Sequence, residues 1–112
     1  MFAGMKSVVV TGCGTGIGGA IFERQARDGW AVAGLELSAE HAAEMRQKIA
    51  ANGWTGVVIE GDAADRDALA AVRSAATSLA PLGGWVNNDA PAVSGLLPAC
   101  VALTGEGELG CS

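Results

Sequence analysis

The sequence contains no tyrosine, one histidine and only seven lysine and arginine residues among 112. The basic residues are scattered and the net charge is −5, so no positive stripe is available to neutralise a nucleic-acid backbone. No run approaches the ~18 consecutive apolar residues that a membrane-spanning helix requires. Binding to nucleic acid and insertion into a membrane are therefore both disfavoured.

Cysteine is also scarce, with three residues at positions 13, 100 and 111. An odd number at these spacings makes neither a disulfide framework nor a CxxC metal site. The apolar run near the N-terminus, Val8 to Val10, is too short for the hydrophobic part of a secretory signal peptide. These features predict a reduced cytoplasmic protein without a metal site.

Half of the residues are hydrophobic and 17% are charged, which is the composition of a folded chain and not of a disordered one. The length corresponds to one domain or part of one. Glycine accounts for 17 of the 112 residues, about twice its usual ~7% share, and has no collagen-like period. This excess indicates tight turns or close approaches of the backbone.

Short apolar runs alternate with helical patterns over most of the chain. Runs without polar alternation predict strands that are buried on both faces, at residues 6–11, 30–37, 56–60 and 85–87. Strands that alternate with helices predict βαβ units and a parallel sheet with right-handed crossovers. From residue 89 onward the periodicity fades.

Three helices are predicted between these strands. The first begins near Ile17, ends at Asp28-Gly29, and has one face formed by Ile17, Ala20, Ile21 and Arg24. The second has Ser38 as its N-cap and ends at Asn52-Gly53. The third has Asp65 as its N-cap and is ended by Pro81 and Gly83-Gly84. Its apolar stripe is formed by Leu69, Val72, Ala76 and Leu79.

The most informative segment is TGCGTGIG at residues 11–18, between the first strand and the first helix. A pyrophosphate group needs bare backbone N–H groups at a helix N-terminus, and glycine leaves them accessible. Glu36 ends the second strand, twenty residues after Gly16, where a carboxylate can accept hydrogen bonds from a ribose diol. The loop in this context predicts a dinucleotide-binding site.

These residues resemble the short-chain dehydrogenase/reductase family. TGCGTGIG matches the family's TGxxxGIG motif at every specified position, GDAAD at 61–65 looks like its acidic segment after strand three, and VNN at 86–88 looks like the start of its NNAG motif. The resemblance extends from residue 6 to about 95. It implies an α/β fold, a partial three-layer Rossmann-type parallel sheet with strand order 3-2-1-4 and helices on both faces. Residues 1–95 would form an NAD(P)-binding half-domain, and residues 96–112 an irregular or mobile tail.

The resemblance also implies which residues bind the dinucleotide. They are the glycine loop, the acidic residue after strand two, the positions after strand three and the first asparagine: Gly12, Gly14, Thr15, Gly16, Ile17, Gly18, Glu36, Asp62, Ala63 and Asn87. Asp62 would hold the adenine ring. The Glu36 carboxylate would repel a 2′-phosphate, and neither Thr15 nor Leu37 supplies a basic group, so NAD is favoured over NADP. NNAG reads NNDA here, and Asp89 would place a carboxylate near the cofactor.

No catalytic residue can be assigned from the resemblance. The family uses a tyrosine as proton donor, a lysine four residues later and a serine, whereas this sequence has no tyrosine and its lysines, Lys6 and Lys48, lie in other segments. We therefore expect the chain to be the cofactor half of a truncated short-chain oxidoreductase, inactive alone. His41 is interpreted as a solvated surface residue. Cys13 either fills space under the phosphates or is a thiol whose pKa is lowered by the helix N-terminus.

Two other functions remain open. A non-catalytic dinucleotide-binding or interaction module would keep the fold without the reaction. VVVTGCGTG at 8–16 and GLELS at 34–38 also look like the first two motifs of S-adenosylmethionine-dependent methyltransferases, although Val10 stands where those enzymes normally have an acidic residue. In either case an open edge on strand four predicts marginal stability, with self-association or docking of a partner chain through that edge.

Overall fold

A five-stranded sheet flanked by three helices forms the part of the chain that the structure describes. The structure is a computed structural model that describes residues 4–14 and 16–88 and the backbone of residues 100–103. In chain order the elements are β1 (Ser7–Thr11), α1 (Gly16–Arg27), β2 (Ala31–Glu36), α2 (Ala39–Asn52), β3 (Gly56–Glu60), α3 (Arg66–Leu79), β4 (Leu82–Asn87) and β5 (Cys100–Leu103).

The strand order is β3-β2-β1-β4-β5. β1 pairs in parallel with β2 and β4, and β2 pairs in parallel with β3, which confirms the predicted order 3-2-1-4. β5 is antiparallel to β4, with Asn87 opposite Cys100. Two predictions are therefore wrong: the edge of strand four is covered by β5, and residues 100–103 of the expected irregular tail form a strand. A four-residue apolar run after a segment without periodicity gave no signal for this strand.

β4 begins at Leu82, three residues earlier than predicted. Gly83 and Gly84 were expected to end the third helix, but they lie inside the strand and are buried. A Cβ at Gly83 would lie 2.8 Å from Lys6 Cδ and 3.0 Å from Trp30 Cζ3. Gly83 therefore leaves room for the Lys6 and Trp30 side chains to pack against the strand, and it does not end a helix.

The two faces of the sheet carry separate apolar cores, in agreement with the helices that the resemblance placed on both faces. α1 and α2 cover the face that contains Val8 and Val10, whereas α3 covers the face that contains Val9. Consecutive residues of a strand point to opposite faces, so β1 must be apolar throughout. Its five residues are all buried. This central strand fixes the position of the loop that follows it.

The packed face of α1 differs from the prediction. Its buried residues are Gly18, Gly19, Phe22 and Ala26, whereas Ile17 is 64% exposed. Phe22 is the largest fully buried side chain, and the glycines allow the first turn to approach the sheet closely. The predicted face is not the packed one, because it included the exposed Ile17 and gave glycine no packing role.

The second and third helices begin where predicted. The Ser38 hydroxyl accepts a hydrogen bond from the His41 N–H at 3.2 Å, and the Asp65 carboxylate accepts one from the Asp67 N–H at 2.9 Å. Gly53, with φ of 67°, ends α2 in the left-handed conformation. Val72 and Ala76 of the predicted stripe are fully buried in α3.

Candidate functional site

The glycine loop leaves the carboxyl end of β1 and is fastened to the end of β2. The Gly12 N–H donates to the Leu35 carbonyl oxygen at 2.8 Å. Gly12 and Gly16 have φ of 63° and 58°, the left-handed region that favours glycine. Thr15, a predicted site residue, lies outside the described residues. The loop is therefore held against the sheet by its first residue and turns sharply into α1.

Gly18 allows the first turn of α1 to pack on this loop. A Cβ at Gly18 would overlap the Gly12 carbonyl oxygen and lie 2.6 Å from the Asn88 side-chain nitrogen. At Gly19, by contrast, the nearest atom to an added Cβ would be the Cys13 carbonyl oxygen at 3.5 Å. The first turn of α1 contains no acidic residue, so its positive dipole end remains available to an anion.

Glu36 bridges the glycine loop and the start of α2. Its side chain is buried, with the residue only 8% exposed. Oε1 accepts a hydrogen bond from the Gly14 N–H at 2.7 Å, and Oε2 accepts one from the Ser38 N–H at 3.0 Å. A carboxylate has about four acceptor positions, so each oxygen can accept one further hydrogen bond. A Cβ at Gly14 would lie 2.6 Å from Oε1, so this close approach requires glycine.

Cys13 lies beneath the loop and is completely buried. Burial, and then the negative charge of Glu36, raise the pKa of its thiol to about 12. The alternative of a thiol with a lowered pKa is therefore wrong, and the space-filling interpretation agrees with the packing. A Cβ at Gly34 would overlap the Cys13 sulfur and lie 2.9 Å from Phe22 Cε2.

The predicted adenine-binding residues lie in the turn after β3. The Gly61 N–H donates to the Glu36 carbonyl oxygen at 2.9 Å, which joins this turn to the end of β2. The exposed Asp62 accepts a hydrogen bond from the Ala64 N–H at 2.9 Å on Oδ1. Ala63 packs against the core beneath α3. The structure thus brings Asp62 and Ala63 to the same sheet edge as Glu36.

Asn87 connects the carboxyl ends of β1 and β4. Its Oδ1 accepts a hydrogen bond from the Thr11 hydroxyl at 3.0 Å. Its neighbour Asn88, which was not among the predicted site residues, lies beside Gly18 of α1. Two large apolar side chains near the loop are exposed, Ile17 at 64% and Leu37 at 62%. Asn87 therefore maintains the shape of the edge, and Ile17 and Leu37 offer apolar surface on it.

His41 was missed as a neighbour of this site. It is half-buried, and its Cβ would lie 2.6 Å from a Cβ placed at Gly14. Sequence reasoning placed it on a solvated face because it considered only the residues of its own helix. The available signal was its position three residues after the N-cap Ser38, which brings it to the end of β2 that carries Glu36.

The lysines lie away from this edge. Lys6 precedes β1 at the opposite end of the sheet, and Lys48 Nζ donates to Glu23 at 2.8 Å in an ion pair between α2 and α1. Within residues 4–14 and 16–88, no three metal-ligating side chains are grouped as a metal site would require. Among the described helices, none has the length and apolar character needed to cross a bilayer.

Comparison with solved structures finds several proteins of similar fold, two of which are hydroxysteroid dehydrogenases. A hydroxysteroid dehydrogenase from Escherichia coli is 26% identical with a TM-score of 0.67, over 80% of this chain and 40% of that one. A 7α-hydroxysteroid dehydrogenase solved with NADH and 7-oxo glycochenodeoxycholic acid is 27% identical with a TM-score of 0.60, over 66% of this chain and 29% of that one. A blue fluorescent protein from a metagenomic library, solved with NADPH, is 32% identical with a TM-score of 0.62, over 73% of this chain and 34% of that one.

This chain thus spans less than half the length of each of these proteins. A search of curated proteins gives no significant match. The family model described as short chain dehydrogenase matches residues 6–96. This match includes the glycine loop, Glu36, the turn after β3 and the paired asparagines. Since it extends over most of the chain, the protein belongs to the short-chain dehydrogenase family.

Proposed function

We propose that the carboxyl edge of the sheet binds a nicotinamide dinucleotide, NAD in preference to NADP, as the cofactor-binding part of a short-chain oxidoreductase. The observation that carries this proposal is the Glu36 carboxylate, which is fixed by two backbone N–H groups beside the loop that opens α1. One acidic side chain thereby meets the two requirements of a dinucleotide site, an ordered loop for phosphate and an acceptor for ribose.

The pyrophosphate would lie at the start of α1, against Gly12, Gly14, Thr15 and Gly16. A Cβ at Gly16 would meet no protein atom within 4 Å, so this side of the loop faces open space. The helix dipole there is not offset by an acidic side chain of the first turn. Gly18 supports this arrangement from within the helix, and the exposed Ile17 supplies apolar contact to the ligand.

The ribose would bind at Glu36, and the adenine between Leu37, Asp62 and Ala63. The relatives solved with NADH and with NADPH show that both cofactors occur among similar folds, so the choice must come from local charge. A 2′-phosphate would be repelled by the Glu36 carboxylate. The arginine and the lysine of the adjacent α2 have other partners: Arg46 donates to the Val58 carbonyl oxygen, and Lys48 donates to Glu23. The charge of Glu36 and the engagement of these basic side chains elsewhere support NAD over NADP.

A bound nicotinamide would supply or accept a hydride. The residues of this chain would bind and orient it: Asn87 holds the ends of β1 and β4 together, and the buried Cys13 packs beneath the loop. We assign no catalytic residue, because the sequence contains no tyrosine to donate a proton as the family does. Residues 1–95 form the proposed cofactor-binding region.

Calorimetric titration of NAD against a pair of matched glycine variants tests this proposal. Gly16 and Gly53 both have positive φ, 58° and 67°, and a Cβ at either would meet no atom within 4 Å. Gly16→Asp places a carboxylate beside the diphosphate and is expected to weaken NAD binding at least about tenfold, equivalent to about 1.4 kcal/mol. Gly53→Asp has the same backbone strain at the far end of α2 and should bind NAD normally.

Titration of other ligands tests the choice of cofactor. The unsubstituted chain should bind NAD more tightly than NADP, and Glu36→Gln should reduce that difference because it removes the negative charge. Equal NAD affinity in Gly16→Asp and the unsubstituted chain would place the site elsewhere. Tighter binding of S-adenosylmethionine than of NAD would contradict the proposed cofactor.

A further inference from the structure

The outer edge of β3, which faces away from β2, is at the border of the sheet that the described residues form. Val32 N–H donates to the Thr55 carbonyl oxygen at 2.9 Å, and Gly61 N–H donates to the Glu36 carbonyl oxygen at 2.9 Å. Because hydrogen bonding alternates along a parallel strand, the odd-numbered residues of β3 bond to β2. The backbone groups of Gly56, Val58 and Glu60 therefore point outward.

Arg46 occupies the middle acceptor of this outer edge. Its guanidinium donates two hydrogen bonds to the Val58 carbonyl oxygen, from Nε at 3.2 Å and from Nη2 at 2.8 Å. The side chain comes from α2, which covers one face of β3, and reaches over the edge of the strand. These two bonds are directed to the outer edge of β3 and not to the glycine loop, so the proposed dinucleotide site does not account for them.

We propose that Arg46 closes the outer edge of β3 against pairing with β3 of a second copy of this chain. The strand reads GVVIE, a short β-branched apolar segment of the kind that pairs with itself when its edge is open. In an antiparallel pair centred on Val58, the two Val58 residues would exchange N–H to carbonyl bonds. Gly56 of each copy would face Glu60 of the other, so the two carboxylates would not oppose one another.

Arg46 opposes this pairing in two ways. Its guanidinium occupies the Val58 carbonyl oxygen, which would otherwise be the acceptor at the centre of the pair. It also places a positive charge at the edge, so two approaching copies would bring two guanidinium groups together. Charged residues at a strand border are a general means of preventing edge-to-edge association. This inference is independent of the proposed dinucleotide site.

Sedimentation velocity of the 112-residue chain over a range of concentrations tests the inference. The unsubstituted chain is expected to be monomeric, and Arg46→Leu to form dimers or larger species with at least tenfold tighter association. Arg73→Leu is the matched control, because Arg73 is an exposed residue of α3 and its replacement makes the same change of charge and apolarity. The control should stay monomeric. A monomeric Arg46→Leu, or equal association in both variants, would overturn the inference.

A second substitution separates edge pairing from simple destabilisation. Glu60→Pro removes an outward N–H that the second copy would need, and leaves the bonds to β2 in place. Added to Arg46→Leu, it is expected to restore the monomer. If the double variant associates as strongly as Arg46→Leu, Arg46 only fastens α2 to β3 and the inference is wrong.

Discussion

The buried Cys13 thiol predicts a loss of stability in alkaline solution. In an unfolded chain the thiol has its ordinary pKa of 9.0, whereas in the folded chain burial and the charge of Glu36 raise the pKa to about 12. Between these values the unfolded chain releases the proton and the folded chain retains it. The free energy of unfolding is therefore unaffected well below pH 9 and falls as the pH rises toward 12.

The size of the effect follows from the two pKa values. Between the two pKa values, each rise of one pH unit lowers the free energy of unfolding by about 1.4 kcal/mol. Between pH 8 and pH 10 the thiol should lower the free energy of unfolding by about 1.4 kcal/mol, and by pH 12 the loss approaches about 4 kcal/mol. The first figure is about a tenth to a quarter of the stability of a small domain, which is ~5–15 kcal/mol.

Urea unfolding at pH 8 and pH 10, with and without Cys13→Ala, measures this contribution. All other side chains are the same in both proteins, and the space left by the smaller alanine lowers stability at both pH values. The difference between the two pH-dependent changes in the free energy of unfolding therefore isolates the thiol. The unsubstituted chain should lose about 1.4 kcal/mol more than Cys13→Ala. Equal losses in the two proteins would show that the thiol already ionises normally in the folded chain.

Two further predictions concern stability and can be measured by urea unfolding. Gly18→Ala should lower the free energy of unfolding by about 1–3 kcal/mol because its Cβ meets the Gly12 carbonyl, whereas Gly19→Ala should be neutral or stabilising by up to about 1 kcal/mol. Equal changes in the free energy of unfolding for Gly18→Ala and Gly19→Ala would contradict the close packing of α1 on the loop. Asp65→Ala should lower the free energy of unfolding by about 1 kcal/mol through loss of the N-cap bond to Asp67, and an unchanged value would show that this cap does not stabilise α3.

The local patterns that predict this fold are those whose physical cause lies within a few residues. The apolar run of β1 predicts a strand covered on both faces, and the caps Ser38 and Asp65 determine where α2 and α3 begin. Gly83 shows where this reasoning fails, because its role depends on Trp30, which is far away in sequence. The pairing of β5 with β4 is likewise a long-range choice that four residues cannot indicate.

The glycine loop was predictable for a similar reason. Positive φ at Gly12 and Gly16 is a property of single residues, and it leaves a regular trace in the sequence. The protonation state of Cys13 cannot be predicted from the sequence pattern in this way, because a cysteine near a helix N-terminus can have its pKa lowered or raised. The outcome is set by burial against Phe22 and Gly34 and by the charge of Glu36, which the fold supplies.

Glu36 shows how a residue predicted for one role acquires a second one in the structure. The sequence indicates an acceptor for ribose, but both carboxylate oxygens already accept backbone N–H groups, from Gly14 and Ser38. A ribose hydroxyl must therefore bind in addition to these bonds. In Glu36→Gln the amide NH₂ would face one of the N–H donors, so the order of the loop and the acceptor for ribose would weaken together. NAD and NADP depend equally on the loop, so the change in their affinity ratio separates the direct effect of Glu36 on the ribose, through its charge and its acceptor oxygens, from its positioning role.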